Sequence, residues 1–144
     1  MKITVALNTL IDRSIMNMKD GINQMVKESA LELIKRAYEE NKFVQITSGF
    51  RGMEEQAALY GQGRESFIYN EKEYGNPSKP IVTYVKPGQS KHNFGIAIDF
   101  VLVSDEGNRA LWDVNDKWIR VAKLVKNWGL NGEAIGLHLK TILI

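Results

Sequence analysis

Residues 95–103, GIAIDFVLV, constrain this chain more than any other stretch. The run is almost unbroken in its apolarity, rich in β-branched and aromatic residues, and opened by a glycine, so it reads as a buried strand. Asp99 stands in its middle. A carboxylate inside such a strand is costly unless it is paired or bound to a metal. His92 lies seven residues earlier, just ahead of the strand. A histidine there and an aspartate within the strand can converge on one ion, with Gly95 and Ala97 leaving room beside them. A hydrogen-bonded aspartate and an ordinary loop histidine satisfy the same spacing, so spacing alone leaves both readings open.

The rest of the chain supplies the setting. Apolar residues recur at helical spacing over 22–40 (Ile22, Met25, Val26, Ala30, Leu33, Ala37), which predicts an amphipathic helix. Residues 42–47 read as a short strand and 53–60 as a second helix. The stretch 61–91 is rich in Gly, Pro, Ser, Asn and charge and reads as a long functional loop, with a short strand expected at 81–85. A third helix is expected over 115–128, with Trp118, Val121, Ala122 and Val125 on one face. Helices and strands mix without regular βαβ alternation, so the expected class is α+β, a small antiparallel sheet flanked by helices.

The 144 residues suit one compact domain, 1–144, and an apolar fraction of 44% is enough for its core. A net charge of +2 gives no electrostatic case for a nucleic-acid partner. A pI near 8.8 is compatible with approach to an acidic polymer such as a cell wall. There are no cysteines, so disulfides, thiolate metal sites and cysteine nucleophiles are excluded, and any metal must rely on His, Asp or Glu. No apolar run approaches the roughly 20 residues that span a bilayer, so no membrane insertion is expected. The N-terminal MKITVALNTLIDRS is interrupted by Asp12 and Arg13 and has no small-residue cleavage site, so no signal peptide is expected. A target beyond the membrane would then be reached by another route, such as a lysis pore.

Ser90, His92, Gly95, Ala97 and Asp99 spell SxHxxGxAxD. This resembles the signature of the zinc peptidases that cut peptidoglycan, the L-alanyl-D-glutamate endopeptidase and D-Ala-D-Ala carboxypeptidase family. ITSGFR at 46–51, EEQAALYGQGR at 54–64 and PGQS at 87–90 are similar to the segments that accompany it, so the resemblance covers about residues 22–130. It implies a zinc D,D-peptidase-like fold, zinc as cofactor, and His92 and Asp99 as two of three protein ligands. It implies that Arg51 binds a substrate carboxylate or polarises the scissile carbonyl, since a planar two-pronged cation suits either task. A surface salt bridge is the alternative for Arg51. Gln56 would line the cleft, against a plain helix-surface glutamine, and Ser90 would orient a ligand or the motif backbone, against a plain turn serine. Tyr60 and Phe94 are expected in the core, and Trp118 and Trp128 in a packed helix without chemistry.

The resemblance also implies metal-assisted amide hydrolysis, in which a carboxylate carries a proton from the metal-bound water to the leaving amine. That chemistry needs a third ligand and a general base near the C-terminus, where family members carry an ending like GLEWGGDWxxFxDxPH. Here the chain reads WGLNGEAIGLHLKTILI: Gly129 and Leu130 fit, and then the match stops. His138 is present, but Ile135 stands three residues before it, where the acid should be, and Glu133 is five before. No catalytic acid is therefore assigned. A neighbouring reading frame through the codons of 130–144 admits EWGGDWTSFKDYPH, the family ending in order. The expectation is that one base was lost near Leu130 and Asn131, leaving about 131–144 atypical, with His138 either a substitute ligand or part of a non-native tail.

The expected function is lysin-type, zinc-dependent hydrolysis of the L-Ala-D-Glu bond of the peptidoglycan stem peptide, by a monomer acting at the bacterial cell wall. The alternatives are an inactive peptidoglycan-binding remnant of the same fold and a D,D-carboxypeptidase.

Overall fold

The computed structural model describes residues 3–111, 115–127 and 141–143. Two helices come first: α1 (Leu7–Met18) and α2 (Gln24–Glu39). Strand β1 (Val44–Ser48) and helix α3 (Met53–Gly61) follow, then a hairpin of β2 (Ile68–Tyr69) and β3 (Lys72–Glu73). A 3-10 turn (Lys91–Phe94) leads into β4 (Ala97–Val103), followed by β5 (Ala110–Leu111), α4 (Asp116–Asn127) and β6 (Thr141–Leu143). Among the described residues, four helices and a small antiparallel sheet make the α+β class expected from the sequence. None of the described helices is long and apolar enough to cross a membrane.

Helix α2 begins at Asn23, whose side chain accepts hydrogen bonds from the backbone N–H groups of Met25 and Val26, a strong N-cap. Its buried positions, Val26, Ala30, Leu33, Ile34 and Ala37, recur at helical spacing. They pack on the sheet together with Val44, Ile46, Phe100 and Leu102. At the far end of the chain, α4 starts at Asn115, which accepts from Lys117 and Trp118 N–H, and buries Trp118, Val121, Leu124 and Val125. The neighbouring Trp128 lies outside the described residues.

The expected strand at 95–103 is the sheet's centre. Asp99 is paired with both Ser48 and Thr141, and Leu102 with both Val44 and Leu111. Strand β1 therefore holds one edge of β4, while β5 and β6 share the other. Directly paired residues share a face, so Ile46 and Phe100 point to one side while Gln45, Asp99, Val101 and Val103 point to the other, where Val101 and Val103 are also buried. Between Ile46 and Ser48 the register slips by one residue, a β-bulge that places Ser48 opposite Asp99.

Helix α1 was not expected from the sequence. Leu7, Leu10, Ile11, Ile15 and Met18 have helical spacing, but no side chain caps the start at Ala6, and the buried Ser14 breaks the apolar stripe. Ser14 has a structural reason to be there. Its hydroxyl accepts from the N–H of Ile46 at 2.9 Å, and the Asn17 amide donates to the Ile46 carbonyl at 2.9 Å. Both outward backbone groups of Ile46 are thereby satisfied, covering the middle of an edge that would otherwise invite another strand.

The long loop departs from expectation in two places. Residues 68–73 form a hairpin, with Asn70 and Glu71 at φ of 52° and 68° as a tight primed turn requires. The expected strand at 81–85 is not a strand. The carbonyls of Thr83 and Val85 accept from the Arg64 guanidinium and the Gln56 amide, so side chains of α3 and its exit take the place of a ladder partner. The hairpin is closed by Glu73, whose carboxylate accepts from Phe67 N–H (2.8 Å), Gly75 N–H (2.7 Å) and Ser66 Oγ (2.9 Å).

Two outcomes are expected. Ser14→Ala leaves the Ile46 N–H buried without a partner and should lower stability by about 1–3 kcal/mol in urea unfolding. The Phe67 N–H, then that of Gly75, then Ser66, hold the Glu73 carboxyl below its usual value of 4.5. A depressed folded-state value means the clasp is fully present above pH 4.5 and lost as pH falls through the lowered value. Amide exchange at Phe67 and Gly75 should accelerate in that acid range, and unchanged protection there would discount the clasp.

Candidate active site

The motif enters the structure as a turn and a strand. Ser90 caps the 3-10 turn, its hydroxyl accepting from the N–H of His92 at 3.2 Å. Gly95 ends the turn in the left-handed region, at φ 70°. A side chain there would run into the carbonyl oxygen of Gly21, and the Gly95 carbonyl accepts from the N–H of Asn23 at 2.9 Å. The glycine is thus demanded by its own backbone and by the start of α2, rather than by room around a metal.

His92 is 7% exposed, and its Nδ1 lies 2.7 Å from the carbonyl oxygen of Gly49. A carbonyl only accepts, so Nδ1 carries a proton, and in the neutral imidazole Nε2 keeps its lone pair. That lone pair faces Asp99, with Nε2 at 3.5 Å from Oδ2. The same Oδ2 accepts from the Ser48 hydroxyl at 2.6 Å and sits 3.9 Å from Arg51 Nη2. The costly carboxylate in the strand is therefore compensated by the Ser48 hydroxyl and the Arg51 guanidinium, with an imidazole nitrogen beside it.

Arg51 is built in rather than lying on the surface. Its Nη1 donates to Gln56 Oε1 at 3.1 Å, and Gln56 donates in turn to the Val85 carbonyl at 2.7 Å. Gln56 is 1% exposed, which excludes the plain helix-surface role. The Arg51 backbone is tied to the motif as well: its N–H donates to the His92 carbonyl, and Asn93 Nδ2 donates to the Arg51 carbonyl, both at 2.9 Å. Asn93 Oδ1 accepts from Gly88 N–H at 3.0 Å, fastening the lead-in loop.

The structure therefore brings together Arg51, Gln56, His92 and Asp99, with Ser90 holding the turn from behind. Sequence reading missed Ser48 and Asn93. Ser48 reaches Asp99 only because of the bulge, which no local pattern announces, and Asn93 looks like any polar loop residue. Phe94, expected in the core, is 59% exposed, because the turn that buries His92 and Asn93 points the next side chain outward. Tyr60 is half-buried, stacked under Arg64 and edge-on to Phe67.

An imidazole with a free Nε2 beside a carboxylate is a donor set that suits zinc, with the second nitrogen oriented by a backbone carbonyl as metal-bound histidines require. The pair fits two of three protein positions. Among the described residues no third His, Cys, Asp or Glu joins them. His138 lies outside the described residues. Replacing Gln56 with alanine should release Arg51 and the loop together. Stability should drop by about 1–3 kcal/mol, with faster amide exchange near Val85, and wild-type exchange there would remove the link.

A model of the VanY family, described as D-alanyl-D-alanine carboxypeptidase, matches residues 19–132. The peptidoglycan L-alanyl-D-glutamate endopeptidase CwlK of Bacillus subtilis (strain 168) is 36% identical over 122 residues, which is 79% of this chain. The chain spans 66% of that protein's length. Ser48, Arg51, Gln56, Ser90, His92 and Asp99 all fall inside the family match. Since that match covers most of its length, the chain belongs to the VanY D-alanyl-D-alanine carboxypeptidase family.

Proposed function

We propose that this chain is built as a zinc-dependent hydrolase of peptidoglycan stem peptides, of the lysin type that cuts the L-Ala-D-Glu bond. The observation that carries the reading is the His92–Asp99 pair, 3.5 Å apart with the imidazole lone pair open, lying beside a braced Arg51. In this reading His92 Nε2 and Asp99 hold the metal. Zinc, when bound in such a site, acidifies a water and polarises the scissile carbonyl. Gly49 fixes the His92 tautomer, Ser48 orients Asp99, and Ser90 sets the turn that presents His92. Arg51 receives a substrate carboxylate in two-pronged fashion, with Gln56 fixing its angle. The ligand is the stem peptide, met at the bacterial cell wall by a monomer. The similarity to CwlK favours the endopeptidase over a D,D-carboxypeptidase, and assay of defined stem peptides separates the two.

A second observation qualifies the catalytic competence of this polypeptide. No third ligand stands among the described residues, and the family match stops at residue 132. We therefore read the chain as an impaired member that keeps the peptide cleft. A lost base near Leu130 and Asn131 accounts for it, and sequencing the gene across those codons tests that account. The register offers a place for a repair: Thr141 is paired directly with Asp99.

Calorimetric zinc titration of the metal-stripped chain is the test. Weak binding is expected for the wild type and none for His92→Ala, with Thr141→His tightening the wild-type affinity by about tenfold or more, as an added ligand should. Tight one-to-one binding by the wild type that disappears in His92→Ala would overturn the impaired reading and make this a working hydrolase.

A further inference from the structure

We propose that the sheet face bearing Asp99 also carries a carboxylate-binding subsite, set between Arg13 and Arg109, that reads an acidic group of the peptide beyond the scissile bond. The proposal rests on the stem-peptide reading for the identity of the ligand and on the sheet for its place.

The register defines a strip on that face. Gln45 is paired with Val101 and Val103 with Ala110, and side chains alternate along β4, so these four lie on the same side as Asp99. A concavity of about 410 Å³ opens over this strip. At its near end stands Thr47, the neighbour of Ser48, whose hydroxyl holds Asp99. At a rise of roughly 3.3 Å per residue, Val101 is about 7 Å and Val103 about 13 Å from Asp99 along the strand. An extended peptide advances by the same rise. A ligand whose scissile bond lies at the His92–Asp99 pair would therefore bring a group two to four residues away over the concavity.

The walls supply charge. Arg13 reaches over from α1, its Nη1 donating to the Gly107 carbonyl at 2.6 Å and to Gln45 Oε1 at 3.3 Å. These bonds hold the guanidinium at the rim and tie down the 104–109 loop, which carries Arg109. The lining residues include two arginines and no Asp or Glu, together with Val101, Val103 and Ala110. Two cations beside apolar residues suit a carboxylate on a short aliphatic stem, such as the C-terminal carboxylate of a small peptide. Arg13 lies ahead of the family match at 19–132, so this wall is added to the region that the family match covers.

The test measures binding, so it does not depend on turnover. A synthetic stem tetrapeptide is titrated into the 144-residue chain as the free C-terminal acid and as the C-terminal carboxamide, otherwise identical. The acid should bind about tenfold more tightly, the worth of one charge-assisted hydrogen bond. Arg109→Gln should bring the two affinities to within about twofold, and Arg109→Lys should restore part of the preference, since a point charge keeps attraction without the fork. Equal affinities in the wild type, or a preference untouched by Arg109→Gln, would overturn the subsite and leave the stem-peptide reading standing. A chain that binds neither peptide would overturn the stem-peptide reading, and the subsite with it.

Discussion

One carboxylate organises this molecule. Asp99 occupies the central strand of the sheet, where burial would push against its charge, and three elements reach it. Strand β1 sends the Ser48 hydroxyl, the segment after it sends Arg51, and the turn before β4 sends His92. Each of these groups is itself fixed: Ser48 by the bulge, Arg51 by Gln56 and His92 by the Gly49 carbonyl. The electrostatic need of a single group thus sets the relative placement of β1 and the α3 entrance, and the motif turn brings an imidazole nitrogen beside it. The same arrangement is what a metal half-site requires, with one nitrogen lone pair and one carboxylate oxygen converging from a rigid frame.

The loop joins this frame through α3. Gln56 holds Arg51 with one end of its amide and Val85 with the other, and Arg64 holds Thr83 while stacking on Tyr60. Segment 81–85 is thereby laid along the helix without a ladder partner, and its side chains remain on the outside, Tyr84 most of all. Its placement and the aim of Arg51 are two consequences of one buried amide.

Much of this was legible in the sequence, and the limits are physical. Strand β4 and helix α2 announce themselves because hydrophobic periodicity and length coincide, and the His–Asp motif stands out because an aspartate in an apolar strand needs a reason. Helix α1 does not, because Ser14 and Asn17 serve a strand edge about thirty residues away, a contact that only the tertiary fold creates. The 81–85 run has strand-like residues but is claimed by side chains of α3, which local propensity cannot foresee. Ser48 and Asn93 belong to the site through a register slip and a loop contact, neither of which leaves a mark in spacing. Phe94 departs from the expected core because a hydrophobic letter between buried neighbours says nothing of which way a 3-10 turn points it.

Gly95 ties two distant parts of the chain into one piece. Its left-handed turn leans on Gly21, and its carbonyl receives the N–H of Asn23, the residue that caps α2. The motif turn and the start of the long helix therefore share a seam with no space for an intervening side chain. The His–Asp segment is consequently not a portable cassette. Transplanted into another scaffold as residues 90–99 alone, it would arrive without the 21–23 surface against which its turn is shaped, and a graft would have to carry both sides of the seam.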